Sequence, residues 1–255
     1  MKKLFVWSGL FVIFVPLSAV AADVQALVQW SRRTELATPV SGVVASVAVN
    51  AGERAAKGQL LLALDEVPFR AAAQEAEALL ARRKSERDEA VRDAKQAQEL
   101  YDRTVLSTVE LDNAKMKLAR ADAGYREAAA ALDRARYRLR VSALRAPFDA
   151  VVLSRQAEPG QSVAAELKPP VLLVIAAAGE YLAQAHVSAE RVTGLKVGQA
   201  MPVVVAGKTY TAQLKALAHD PAGGKEPYVL EAVFATREAL HAGQAARIQL
   251  PCDDS

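Results

Sequence analysis

The residue types that carry most protein chemistry are sparse in this sequence and do not cluster. Its histidines, His186, His219 and His241, stand far apart. No H-x-x-H or C-x-x-C pair and no acidic calcium loop occurs, so the spacings that hold zinc or calcium are missing. His186 falls in an alternating apolar stretch and reads as a strand residue, and Asp220-Pro221 reads as a turn rather than a catalytic acid. No G-x-S-x-G elbow or paired Cys/His signature offers a nucleophile. Gly207-Lys208-Thr209 has the ending of a phosphate-cradling loop, but Pro202 stands where that loop needs its first glycine, and the segment reads as a β turn. The single cysteine, Cys252, cannot close an internal disulfide. The expectation is a protein that is not an enzyme, with no catalytic residue, no metal site and no cofactor.

The one short motif with a clear physical job is Ser107-Thr108-Val109-Glu110, an S-x-x-E capping box. It lies in the middle of a segment, about 67 to 141, rich in Ala, Leu, Glu, Arg, Lys, Asp and Gln, which are mostly strong helix formers. Pro68 suits a first helical turn, no proline follows it there, and Gly124 is the only glycine. The segment breaks once, near Thr104 to Thr108. The reading is two helices of roughly 35 residues, each about 50 Å long at 1.5 Å per residue. Apolar positions are Phe69, Ala72, Ala76, Leu79, Leu80, Val91, Ala94, Leu100 and Tyr101 on the way out, then Leu111, Leu118, Ala121, Tyr125, Ala128, Leu132 and Leu139 on the way back. Many are alanines, so the helices should pack closely, while Arg82, Arg83, Lys84, Glu86, Arg87 and Asp88 occupy wet faces.

What must position this hairpin flanks it. Pro39-Val40-Ser41-Gly42-Val43-Val44 through Gly52 recurs as Pro147-Phe148-Asp149-Ala150-Val151-Val152 through Gly160, with Pro, Val-Val, Ser and Gly in register at a constant offset of 108. Each copy reads as a β-branched strand closed by a glycine turn, Gly52 and Gly160 supplying φ > 0. A turn at Lys57-Gly58 leads into the apolar strand Leu60 to Leu64. Neither copy can bury its own apolar face, so the two halves should make one compact β sandwich. Both helix ends then start from one small domain, and the helices must run antiparallel.

After Val171 the chain becomes β-rich. Strands are expected at Val171 to Ile175, Tyr181 to Val187, Met201 to Val205, Tyr210 to Leu217, Tyr228 to Phe234 and Ala246 to Leu250, with turns at Gly179, Gly194, Gly198, Gly207, Gly223-Gly224 and Gly243. Such spacing suggests a small barrel, with a short helix from Ser188 to Leu195 capped by Ser188. At the other end Lys2 and Lys3, the apolar run Leu4 to Val15, Pro16 and the small residues Ala19 to Ala22 compose a cleavable Sec signal, an uncleaved anchor being the alternative. The chain has 255 residues and a formal charge of +3, which drops to about +1 without Lys2 and Lys3, so nothing overall argues for nucleic acid. The fold class is α+β, elongated and multidomain. The divisions are a signal at 1–22, an N-terminal strand with the first half of the β domain at 23–66, the hairpin at 67–142, the second half at 143–170, and a barrel with its tail at 171–255.

This order resembles the membrane fusion protein family, also called HlyD-like periplasmic adaptors. The features that carry the resemblance are Pro39-Val40-Ser41-Gly42 to Gly52, Lys57-Gly58-Gln59-Leu60 to Leu64-Asp65, and Leu144-Arg145-Ala146-Pro147-Phe148 to Pro159-Gly160. It implies that the split unit is a lipoyl-like domain, with turns marked by Gly42, Gly52, Gly58 and Gly160. The hairpin stands where lipoyl and biotinyl domains present their modified lysine, so no such adduct is expected and Lys57 should be solvated. The resemblance further implies an R-x3-L-x6-S channel-docking motif around the hairpin turn. Leu100 and Ser107 fit its spacing, while Gln96 stands at the arginine position. The docking tip so defined comprises Gln96, Leu100, Arg103, Thr104, Ser107 and Thr108.

The function implied is that of a periplasmic adaptor in a tripartite efflux pump. It would bridge an inner-membrane transporter, RND favoured and ABC the alternative, to an outer-membrane channel of the TolC type, and self-associate into a ring. Many adaptors of RND pumps continue into a membrane-proximal domain, of which Asp23 to Arg33 with Trp30 could supply only a fragment. The competing reading is a periplasmic coiled-coil scaffolding or binding protein without a role in export.

Overall fold

The computed structural model describes residues 22–166, 168–221 and 224–250. The leader expectation, Gly223 and Cys252 lie outside the described residues. In chain order the elements are β1 (Ala22–Trp30), β2 (Arg33–Leu36), β3 (Gly42–Val47), β4 (Arg54–Ala55), β5 (Leu60–Leu64), α1 (Val67–Asp102), α2 (Thr108–Val141), β6 (Ala143–Arg145), β7 (Ala150–Arg155), β8 (Ser162–Val163), β9 (Leu173–Ala177), β10 (Glu180–Val187), α3 (Ala189–Val192), β11 (Ala200–Val205), β12 (Lys208–His219), β13 (Tyr228–Ala235) and β14 (Ala245–Leu250). They divide into two units, one from Arg32 to Ala178 and one made of the chain on either side of it.

The repeat seen in the sequence is a structural two-fold in the first unit. β3 and β7 occupy equivalent positions 108 apart, as do β4 and β8. The halves pair crosswise: Gly42 lies opposite Val163, and Arg54 opposite Val151. Their turn bonds are reciprocal too. The Gly52 N–H donates to the Val152 carbonyl at 2.8 Å, and the Gly160 N–H donates to the Val44 carbonyl at the same distance. The Asn50 N–H is capped by Glu53 Oε2 and the Glu158 N–H by Gln161 Oε1. Gly52 and Gly160 have φ of 89° and 86°, where an L side chain is strained, so both copies need glycine there. The sheets run β2-β9-β7-β4 and β6-β5-β3-β8, and between them Val44 with Val152, Ala55 with Val163 and Leu64 with Leu172 build a common core.

Two expectations about this unit need correction. The apolar run at 171–175 was expected to open the barrel, yet β9 bonds β7 on one side and β2 on the other. The second half needs a partner for β7, and residues Leu172 to Ala177 are all buried, as a strand covered on both faces requires. Gly42, expected in a turn, is the first residue of β3. A Cβ there would meet Leu64 Cδ1 at 3.2 Å with Phe69 close behind, so this glycine permits a close approach rather than a turn.

The second unit is a closed six-stranded barrel in the order β1-β10-β13-β12-β11-β14. Alternate residues fill it: Val24, Ala26 and Val28 of β1, Met201, Val203 and Val205 of β11, Ala246, Ile248 and Leu250 of β14. Trp30 stacks on Tyr181 at 5.3 Å, and Phe234 lies 6.0 Å from Tyr181 and 5.2 Å from Tyr210. Here a further expectation fails. The N-terminal segment is neither part of the lipoyl-like half nor a fragment of another domain, because β1 pairs with both β10 and β14. Without it those two strands would be open edges, and closure is what removes them. The loop ending in Gly207-Lys208-Thr209 is the hairpin turn between β11 and β12, Ala206 and Gly207 both having positive φ (50° and 80°), the signature of a type I′ turn. Ser188 stands at the N-cap of α3 without a side-chain cap bond, and the helix ends at Val192, where Thr193 turns extended, rather than at Leu195.

Candidate docking site at the hairpin tip

The hairpin grows from the base upward by a 4-3 alternation. Ala73, Ala76, Leu80, Arg83, Arg87, Ala90 and Ala94 of α1 face Leu111, Ala114, Leu118, Ala121, Tyr125, Ala128, Leu132, Ala135 and Leu139 of α2, all buried or half-buried. This is the 3.5-residue repeat of a coiled coil. Leu79, Val91, Ala72 and Tyr101, read from the sequence among the hairpin's apolar positions, are exposed beside the seam instead. Arg83 and Arg87, expected on wet faces, take seam positions, so the middle of the hairpin is a polar layer. The Arg83 stem lies on Gly124, where a Cβ would be 3.7 Å from its Cδ. Arg87 Nε donates to Asp122 Oδ1 at 2.8 Å, its guanidinium stands 5.3 Å from the Tyr125 ring, and Arg126 holds the other oxygen of Asp122. Hydrogen bonds from Arg87 first, then Arg126, hold the Asp122 carboxyl below its ordinary range. Two further bridges, Lys117 to Asp93 (2.6 Å) and Arg136 to Glu77 (3.1 Å), tie the helices.

At the far end α1 stops at Asp102 in a Schellman turn. The Thr104 N–H donates to the Tyr101 carbonyl at 2.9 Å and the Val105 N–H to the Leu100 carbonyl at 3.0 Å. Thr104 has φ of 62°, a left-handed conformation that normally selects glycine. Three residues later α2 starts with both bonds of the capping box. The Glu110 N–H donates to Ser107 Oγ at 3.3 Å, and the Ser107 N–H donates to Glu110 Oε2 at 3.0 Å. The Ser107 hydroxyl also donates to that carboxylate at 2.7 Å, and these bonds lower the Glu110 pKa.

The turn gathers Leu100, Arg103, Thr104, Ser107 and Thr108. All but Leu100 are exposed, and Leu100 is half-buried at the end of the seam. Gln96 is exposed six residues before the end of α1, about 9 Å down the helix, and is not part of the turn itself. The structure adds Val105 and Val109, 70% and 69% exposed at the apex. The signal was present in the sequence as two β-branched apolar residues flanking a polar cap. At the other end of the unit Lys57 is exposed, its N–H bonded to Asp149 Oδ1 at 2.8 Å. Among the described residues no cluster of three potential metal ligands occurs, and no helix is long and apolar enough to cross a membrane.

A family model described as "RND MFP, alpha-helical hairpin domain" matches residues 72–142, the paired helices just described and the chain returning to β6. The hairpin of this chain is therefore similar to the hairpin domain of membrane fusion proteins. Relatives of the chain include the macrolide export protein MacA of Escherichia coli O157:H7, 28% identical over 194 residues, which covers 71% of this chain and 52% of the relative. The chain thus spans about half the length of the curated relatives it matches. Among solved structures, this chain shares its fold with the membrane fusion protein Spr0693 from Streptococcus pneumoniae R6, with a TM-score of 0.67 and 16% identity, covering 91% of this chain and 99% of that one. A MacA–MexA chimera carrying the Pseudomonas aeruginosa MexA hairpin gives a TM-score of 0.66 at 22% identity, covering 90% of this chain and 79% of that one.

Proposed function

We propose that this chain is a membrane fusion protein, the periplasmic adaptor of a tripartite efflux pump, and that its hairpin apex docks on an outer-membrane channel. The observation that carries the reading is the mount. A coiled coil whose helices are 36 and 34 residues long is inserted between two β halves that pair crosswise, so a rigid base holds a reaching arm. The apex is built for contact: Val105 and Val109 are exposed, beside a turn fixed at both helix ends. The inner-membrane partner is a transporter, and the match to an RND-type hairpin favours RND over ABC. Several copies ring the export path, energy comes from the transporter, and the chain acts without catalysis of its own, reaching the periplasm behind a cleaved N-terminal signal. The Gln96, Leu100 and Ser107 spacing contributes to the channel contact.

The test is site-specific photocrosslinking in cells from Thr104, Ser107 and Thr108. The expected product is an adduct with an outer-membrane channel, weakened by Ser107→Arg beyond what the loss of a cap costs the helix, about 1 kcal/mol. A folded, exported protein that gives no channel adduct from any of the three positions overturns the docking assignment.

A further inference from the structure

We infer that the root of the hairpin holds a binding site for a single-chain anionic amphiphile, a carboxylate head on an extended acyl chain. A groove of about 820 Å³ runs along one side of the hairpin where it leaves the β domain, a size within the ~300–1,000 Å³ of small-molecule sites. Its lining is apolar along the length: Phe69, Ala72, Ala76 and Leu79 from α1, Ala131 and Ala135 from α2. From Phe69 to the level of Arg82 it follows about 20 Å of helix, long and narrow rather than round.

The α2 wall of this trough carries Arg134 and Arg138, one turn apart on the same face. Both are exposed, and among the described residues neither has an ion pair. Two like charges at this spacing repel one another and leave a demand for an anion that the protein does not meet. Arg82, at the outer end, is engaged by Glu86 at 3.7 Å. Glu75 is the only acid of the lining and bridges neither Arg134 nor Arg138. A guanidinium fork pairs a carboxylate through two parallel N–H bonds, and the alanine floor removes a chain from water. A free anion would leave the floor wet, and a neutral lipid would leave the arginines unanswered. The hairpin of a second copy carries more basic than acidic residues, so net charge does not favour it as the occupant. This site does not depend on the adaptor reading.

The test is calorimetric titration of the full chain with oleate, below its micellar concentration, with oleyl alcohol and inorganic phosphate as separate arms. The expected result is one saturable oleate per chain, at least tenfold weaker in Arg134→Gln/Arg138→Gln, unchanged in Arg140→Gln, which lies outside the groove, and at least tenfold weaker for oleyl alcohol. Circular dichroism of each variant secures the fold. Ala72→Phe, which narrows the floor from an exposed position beside the seam, should also weaken oleate. Oleate binding indifferent to Arg134 and Arg138, equal affinity for the alcohol, or phosphate bound as tightly as oleate overturns the site. So does sedimentation showing that a second chain, and not oleate, occupies the groove and is released by the double substitution.

Discussion

Thr104 is the residue at which local physics and position disagree most. A β-branched residue in the left-handed region costs roughly 1–2 kcal/mol, and the Schellman bonds around it make that conformation unavoidable. Replacing it by glycine should therefore stabilise the hairpin, net of glycine's larger unfolded-state entropy, by about 0.5–1 kcal/mol. Urea unfolding followed by circular dichroism checks this, and a Thr104→Gly variant no more stable than the parent would show that the turn relaxes. The cap three residues on was legible, because S-x-x-E is a local pattern whose two bonds need only its own backbone. The strained threonine was not, because a Schellman turn announces itself by glycine, and here glycine is absent. Glu110 ties this end to pH. Its pKa is lowered by Ser107, so its bonds to the cap persist above the ordinary glutamate pKa and weaken as pH falls through the lower folded value.

At the scale of the element, the coiled coil is Ala-rich at its base and interrupted by charge at its middle. Polar residues at seam positions fix register at a cost in stability, and here the Arg83, Arg87 and Asp122 layer sets which residue of α1 faces which of α2. The sign of its pH dependence follows from Asp122. A carboxyl with a depressed folded pKa stabilises above the unfolded value, about 3.9, and that contribution disappears as pH falls through the folded value. The parent protein should lose more hairpin stability between neutral pH and about pH 3 than Asp122→Asn does. Salt should narrow the difference, because the pair is near water. Equal acid limbs would mean the layer contributes no net electrostatic stability. The helices themselves were readable from composition, Pro68 and the cap. The layer was hidden because Arg83 and Arg87 look like surface residues until the 4-3 alternation is drawn from the buried set.

At the scale of the molecule, each unit has its own core. Ile248→Ala, at a fully buried barrel position, should cost about 2–5 kcal/mol. That loss should fall on the barrel, leaving the helical transition of the hairpin where it is, so far-UV and aromatic near-UV melts should separate. The barrel's clustered aromatics Trp30, Tyr181, Phe234 and Tyr210 weight the near-UV signal toward it, Tyr125 being the ring packed in the hairpin seam. Melts that move together would instead show one cooperative body. The two strands misplaced by sequence reasoning, β1 and β9, fail for one reason. Alternation and apolar runs identify a strand, but not which of two sheets it joins, and β1 bonds partners more than 150 residues away in the chain.

The crosswise pairing of the β halves has a consequence in time as well as in space. β3 and β4 are made early, but their partners β8 and β7 lie 121 and 97 residues later, at Gly42 with Val163 and Arg54 with Val151. Until the second half has emerged, the first can only wait with its apolar face exposed. Closing a loop of that length from random coil is slow and entropically costly. Helices, in contrast, form within about a microsecond, and their two-strand zipper needs only neighbours along the hairpin. Once zipped, α1 and α2 deliver β5 and β6 side by side, with Ala63 opposite Ala143. The arm is therefore placed to bring the two edges of its own base together.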